Sequence, residues 1–247
     1  LTIDNAACNN KPQVILTILP VYMGHFNADH FSVVYNNSTK RWEIRDQDNG
    51  FVTDGSTIFN VRVETPGPKA FVFNASATNS TANYSTLKGH PELNNENALL
   101  LETPNANLGV AVDEVIGVFT YPNKTNGPFV WAVFNEDGSA ALAASFHIVN
   151  VTGQNVTGKQ SAFVQTVSSS NIQGYSTLID SPITNGNSNA ILFATHNYDP
   201  GNMGHTYHDH PIGAFYTGTK WTLFNEDQTA FSSGTTYNVQ AFSAATP

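Results

Sequence analysis

The sequence predicts an all-β protein of three pseudo-equivalent antiparallel units. One block of residues recurs three times, its apolar positions alternate with a period of two, and no window carries helical periodicity or capping. The block is sharpest as Asp209-His210-Pro211-Ile212-Gly213-Ala214-Phe215, Trp221-Thr222-Leu223-Phe224-Asn225-Glu226-Asp227 and Tyr237-Asn238-Val239. It recurs as Asp113-Glu114-Val115-Ile116-Gly117-Val118-Phe119, Trp131-Ala132-Val133-Phe134-Asn135-Glu136-Asp137 and Phe146-His147-Ile148. A more worn copy reads Asp29-His30-Phe31-Ser32-Val33-Val34-Tyr35, Trp42-Glu43-Ile44-Arg45-Asp46-Gln47-Asp48 and Phe59-Asn60-Val61. All three tryptophans fall on one repeat position.

In the tryptophan segment, Trp131, Val133 and Asn135 point one way and Ala132, Phe134 and Glu136 the other, which is a strand. The β-branched and aromatic segment before it is a second strand, and turn residues such as Asn36-Asn37-Ser38 and Thr217-Gly218-Thr219 join the two as a hairpin. Connectors repeat as well: Ala70-Phe71-Val72 leading to Tyr84-Ser85-Thr86-Leu87 echoes Ala162-Phe163-Val164 leading to Tyr175-Ser176-Thr177-Leu178. The copies divide a single domain at about 1–66, 67–158 and 159–247. Each sheet has one face to bury, so a prism-like or trefoil-like pseudo-threefold arrangement is expected, with a β-sandwich as the alternative. Copy one lacks the leading Ala-Phe-Val segment. The tail Ala241-Phe242-Ser243-Ala244-Ala245-Thr246 is similar in composition, and is expected to pair with copy one and close the ring, bringing Leu1 near Pro247.

The pattern Asn185-Gly186-Asn187, His210-Pro211-Ile212-Gly213, Lys220-Trp221, Phe224-Asn225-Glu226-Asp227 and Tyr237-Asn238-Val239 resembles an uncharacterised repeat of secreted, chiefly bacterial proteins, a domain of unknown function. The resemblance covers nearly the whole chain and fades in copy one, where Arg45 replaces the phenylalanine. It implies repeats and secretion and transfers no catalytic residue.

Composition agrees with an extracellular protein. Charged residues are 12% and the net charge is -9, which gives no footprint for nucleic acid or anionic lipid. Apolar runs such as Val14 to Leu19 are too short to span a membrane. Asn-x-Ser/Thr sequons at Asn36, Asn37, Asn74, Asn79, Asn83, Asn123, Asn150 and Asn155 fall in expected hairpin tips and connectors, where a glycan is tolerated. The single cysteine, Cys8, excludes an intrachain disulfide; it is either an apolar filler or a link to another chain.

Among chemically competent residues, His205, His208 and His210 lie close in sequence and could hold a divalent transition metal such as Zn, Cu or Ni in the third repeat. The competing reading is local hydrogen bonding, since copies one and two do not repeat the set. The repeated polar positions Asp29, His30, Asp113, Asp209 and His210 at a strand entrance, and Asp48, Asp137 and Asp227 at a strand exit, are candidate ligand contacts, weighed against turn capping. The tryptophans share a strand face with Ile44, Val133 and Leu223, which marks them as core rather than sugar platforms. No motif of an enzyme is present: Gln160 stands where a phosphate loop needs Ser or Thr.

The leading functional expectation is therefore a secreted, lectin-like glycoprotein with up to three related shallow sites for glycans. The rival is a structural or adhesive protein of the extracellular matrix, and homo-oligomers by strand donation belong to that reading.

Overall fold

A computed structural model describes residues 1–47, 57–121, 129–141, 143–202 and 204–244. The strands are β1 (Thr2–Ile3), β2 (Ile15–Val21), β3 (Phe31–Asn36), β4 (Arg41–Asp46), β5 (Ile58–Glu64), β6 (Ala70–Asn74), β7 (Ser80–Thr81), β8 (Tyr84–Thr86), β9 (Leu100–Asn105) and β10 (Ile116–Tyr121). There follow β11 (Val130–Asn135), β12 (Ser145–Asn150), β13 (Gln160–Thr166), β14 (Ile172–Gln173), β15 (Ser176–Leu178), β16 (Ile191–His196), β17 (Ile212–Tyr216), β18 (Trp221–Asn225) and β19 (Thr236–Phe242). Among the described residues the helical content is limited to single turns at Pro91–Leu93, Ala106–Leu108 and Pro200–Asn202.

The strands gather into four sheets, ordered β1-β4-β3-β9-β12-β6, β10-β11-β8-β7, β13-β19-β16 and β14-β15-β18-β17-β2-β5, arranged as a four-bladed β-propeller of small sheets. This corrects the expected three-unit prism or trefoil, and the sandwich alternative with it. The reason lies in how the sheets are composed. β13–β19 repeat the seven-strand order of β6–β12, and β1–β5 repeat its last five. In each full run one strand is flanked in a ladder, β12 by β6 and β9, β19 by β13 and β16. A hairpin stands beside each ladder, β10 with β11 and β17 with β18. The hairpin of one run then joins the ladder of the next by a parallel bridge. Val33↔Asn105 fuses β3 to β9, and Ala214↔Val21 fuses β17 to β2. Val118 bridges Asn197 in the same sense without merging two sheets. Similarity counts copies along the chain, whereas the sheets are assembled across them.

The C-terminal expectation is corrected too. Ala241 and Phe242 extend β19, pairing with Ser161 and Gln160 on one side and with Leu192 and Ile191 on the other. Only two residues separate Asn238 from Ala241, against ten between Asn60 and Phe71, so the chain has no length in which to turn back before Ala241 and the strand continues. Residues 245–247 lie outside the described residues.

The alternation read from the sequence buries the tryptophans at 0%, 1% and 5% exposure for Trp42, Trp131 and Trp221, which settles them as core. Burial of an indole leaves its N–H needing a partner. Each donates to a backbone carbonyl: Trp42 to Lys11 at 3.0 Å, Trp131 to Asn95 at 2.9 Å and Trp221 to Asn187 at 2.8 Å. Cys8 is fully buried beside Val14, Leu16 and Trp42, with its thiol against the Asn5 carbonyl at 3.4 Å. It is a filler, out of reach of another chain.

The glycine of the Ile-Gly segment has a steric cause. A Cβ on Gly117 would lie 2.1 Å from Glu136 Oε1 and 2.6 Å from the Phe134 ring; one on Gly213 would lie 2.3 Å from Glu226 Oε1 and 2.7 Å from the Phe224 ring. Copy one loses all three members of this set together, carrying Ser32, Arg45 and Gln47, and there Gln47 donates to the Ser32 hydroxyl. Without the phenylalanine, a side chain fits. We expect Gly213→Ala to destabilise the fold by about 1–3 kcal/mol through overpacking, or about 2–4 °C in melting temperature per kcal/mol. Ser32→Ala is expected to cost less than half as much, and thermal unfolding of the two variants checks the order.

Candidate functional site

Three equivalent strands, β2, β9 and β16, meet at the centre of the molecule through polar side chains of neighbouring runs. Thr103 Oγ1 accepts from the Ile18 N–H (3.3 Å) and Thr195 Oγ1 from the Glu102 N–H (2.9 Å). One position of the flanking strands supplies the remaining links. Asn60 donates to Leu192 O (3.0 Å), Asn238 donates to Leu100 O (3.0 Å), and His147 Nδ1 accepts from the Leu16 N–H (2.9 Å). His147 is buried, and desolvation lowers its pKa to about 4, so it serves as a neutral hydrogen-bonding group.

A second set of links lies above this centre. Gln47 Oε1 accepts from the Val112 N–H (2.8 Å), Glu136 Oε2 from the His208 N–H (3.0 Å), and Glu226 Oε2 from the Asn27 N–H (2.9 Å). In each case the residue after the repeated Asn or Asp holds the loop that opens the next run. These loops are thereby turned inward around a cavity of ≈130 Å³. Asn27, Asp29 and His30 line it from the first run, Glu102 and Glu114 from the second, and Glu226 from the third, above an apolar floor that includes Ile18 and Ala194. A smaller cavity of ≈80 Å³ adjoins it, sharing Glu102, Ile116, Ala194 and Ile212, and is lined by His196, His208, His210 and Tyr237.

The chemistry of both cavities is set by burial. Glu102 sits in an apolar strand with no cation beside it, and desolvation raises its pKa well above the carboxylate range. Burial raises Glu226 to about 7, partly offset by the bond from the Asn27 N–H. Glu136 is also raised by desolvation, against the opposing effect of His196, whose ring nitrogen is hydrogen-bonded to its carboxyl. Glu114 is raised by burial and by the negative charge of Asp137 and Asp209. His208 is lowered to about 3, first by burial and then by His196 and His210. Four buried polar atoms on the cavity walls have no hydrogen-bond partner among the described residues: Glu102 Oε1, His30 Nε2, His196 Nε2 and the Tyr237 hydroxyl. Buried groups of this kind are rare and call for an explanation.

The residues singled out from the sequence distribute unevenly. Asp29 and His30 line the larger cavity, and His30 Nδ1 is bonded to Asp113 at 3.0 Å. His210 lines the smaller one and is bonded to Asp227 at 2.7 Å. Asp113 and Asp209 are exposed beside the mouth. Asp137 and Asp227 cap turns, accepting from the N–H of Ser139 (2.7 Å) and of Thr229 (2.9 Å). Asp48 lies outside the described residues.

The proposed metal triad is not assembled. His208 is stacked on Phe231 and bonded through Nε2 to Asn225 at 2.9 Å, while His205 is exposed with its ring against Tyr198. Among the described residues no group of three His, Cys, Asp or Glu is disposed to hold a metal ion. His208 and His210 lie side by side with ring centroids 5.0 Å apart, but each ring is held by its own partner, Asn225 and Asp227, while His205, with a left-handed backbone, sets its ring against Tyr198 instead.

The residues that sequence reasoning passed over are Glu102, Glu136 and Glu226. A signal existed for each kind. Glu102 interrupts the apolar run Leu99-Leu100-Leu101, and the glutamate of Asn-Glu-Asp repeats beside a glycine that only a close neighbour explains.

A family model described as a domain of unknown function (DUF7452) matches residues 32–125 and again residues 117–241. The two matches open on Ser32 and Gly117, which occupy the same repeat position. No curated protein and no solved structure matches the chain.

For Glu226, a folded pKa of about 7 against an ordinary 4.5 means that the folded state holds the proton longer than the unfolded one. Its contribution to stability is therefore intact at low pH and declines as pH rises through about 7. Glu226→Gln keeps an acceptor for the Asn27 N–H and is expected to remove that decline, leaving the variant more stable relative to the parent at pH 8 than at pH 5. Urea unfolding at the two pH values measures the difference.

Proposed function

The chain belongs to the DUF7452 family, and we propose that it is a secreted glycan-binding module with one axial site in place of three separate ones. The observation that carries this reading is the convergence of unpartnered, buried polar atoms from different runs on adjoining cavities. Their character matters as much as their number. Desolvation favours the protonated form of Glu102 and the neutral form of His208, so these two groups offer uncharged donors and acceptors, which suit hydroxyl groups better than ions. The apolar floor suits the C–H face of a sugar ring. A cavity of this size admits the end of a glycan rather than its length.

Secretion is supported by the low charge and by the placement of several sequons. Asn37, Asn74 and Asn155 are exposed. Asn36, Asn79 and Asn83 are half-buried, and the Asn83 amide donates to Asn135 O at 3.1 Å. Asn150 is only 2% exposed, with its amide on Glu92 O at 3.2 Å, so a glycan has no room there in the folded chain. Asn123 lies outside the described residues. Peptide mass spectrometry of the protein from a glycosylating host is expected to find sugar on Asn74 or Asn155 and none on Asn150; bare sequons throughout would count against secretion.

A glycan array followed by calorimetry on the strongest hit tests the binding reading. Asp29→Ala and Glu114→Ala are expected to weaken binding about tenfold each, the effect of losing one well-placed polar contact. Asp180→Ala, at an exposed position that lines neither cavity, is expected to leave affinity unchanged. An array without hits, or affinity indifferent to the cavity variants, would overturn the assignment.

A further inference from the structure

Among the described residues, the first run has no strand at the place that the other two fill on the outer edge of their ladders. In the second run β6 pairs with β12 as Ala70↔Val149, Phe71↔Ile148, Val72↔His147 and Phe73↔Phe146. In the third, β13 pairs with β19 as Ala162↔Gln240, Phe163↔Val239, Val164↔Asn238 and Gln165↔Tyr237. The equivalent strand of the first run is β5, where Arg62, Val61, Asn60 and Phe59 stand at these positions, paired on their other side with β2. Beyond β5 no strand follows among the described residues.

A groove of ≈400 Å³ accompanies that edge, the largest of the cavities described here, with Phe59, Val61 and Val63 of β5 on one wall and Ile191, Phe193 and Phe242 on the other. The Arg62 guanidinium projects into the same region. It is only 9% exposed; it is bonded to Glu64 and to Gln154 Oε1 (3.0 Å), and its Nη1 is buried with no partner among the described residues. An incoming backbone carbonyl is the kind of acceptor it lacks.

We infer that β5 is an acceptor edge for one extended strand of Ala-Phe-Val-Phe pattern, supplied by a segment outside residues 1–247 of this chain or of a copy of it. The two completed ladders of the same molecule define the occupant: it runs antiparallel to β5, its alanine opposite Arg62, its first phenylalanine opposite Val61 and its second aromatic or long residue opposite Phe59. The chain's own candidates are engaged elsewhere. Ala70–Asn74 and Gln160–Thr166 complete their own ladders, and the tail extends β19, with the Ser243 N–H donating to Lys159 O at 2.8 Å. Strand addition of this kind draws affinity from main-chain bonds and specificity from alternate side chains. This inference is independent of the glycan reading, because groove and axial cavity share no lining residue.

The test is a synthetic peptide of residues 69–77 added to the chain of residues 1–247, read by calorimetry and by amide hydrogen exchange. Saturable binding is expected, with exchange in β5 slowed at least tenfold and exchange in β10 unchanged. A peptide of the same composition in scrambled order, and one with N-methyl groups at alternate amides facing β5, are expected to bind at least tenfold more weakly, and neither control perturbs the protein's own folding. No saturable binding at millimolar peptide, or binding that leaves β5 exchange unaltered, would overturn the inference. So would slow β5 exchange in the peptide-free chain, whether concentration-independent, from the chain covering its own edge, or lost on dilution, from a second copy.

Discussion

The hydrogen bond that reaches from one hairpin to the opening loop of the next run, made by Gln47, Glu136 or Glu226, governs most of what surrounds it. To reach its target, the carboxyl of Glu136 or Glu226 must lie over the neighbouring hairpin strand, and that strand can carry no side chain there. Because the link is made in the interior, the acid is desolvated and tends to keep its proton. Because it fixes a loop, it also decides which residues face the axis. Glycine, raised pKa values and cavity lining are consequences of one contact. The first run shows the dependence from the opposite side: with an uncharged Gln47 in the role, the bond to Val112 survives while the glycine and the phenylalanine do not.

How much of this was legible in the sequence differs by level. Strand identity followed from alternation, and the tryptophans were placed in the core by the face they share with Ile44, Val133 and Leu223. The β10–β11 and β17–β18 hairpins followed from apolar segments joined by turn residues. The assembly of sheets was not legible, since a parallel bridge such as Val33↔Asn105 joins segments of different copies and leaves no local pattern. At the candidate site, a search for repeated polar residues found Asp29 and His30 but could not distinguish them from Asp137 and Asp227, which cap turns and reach the cavities only through Glu114 and His210. Glu102 was invisible to that search because its counterparts are Ile18 and Ala194, so the position is apolar in two runs and acidic in one. The histidine cluster misled because His208 and His210, although neighbours in space, are engaged by Asn225 and Asp227, and His205 packs on Tyr198.

Divergence among the runs thus has a spatial logic. Positions that hold neighbouring runs together keep their hydrogen-bonding capacity while changing residue type, as in Asn60, His147 and Asn238. Positions facing the axis are free to differ, and the differences accumulate into a single asymmetric environment with carboxyl groups on some walls and imidazoles on others. Similar loops contribute to it unequally. An assemblage of near-copies has in this way produced a cavity that no single copy could form.

The sharing of sheets between runs also bears on how the molecule comes apart. β3 is hydrogen-bonded to β9 and β17 to β2, so a cut at either sequence boundary between runs would pass through a sheet rather than around it. The first two copies each carry a core of their own, around Trp42 and around Trp131, but the third core also takes in Ile15, Leu19, Leu101 and Val149 of the other copies, and loosening a hairpin exposes the ladder it adjoins. A unit with its own core is therefore still tied to its neighbours by a shared sheet, and a protease that cuts a boundary between copies must also see hydrogen-bonded strands part before the pieces separate.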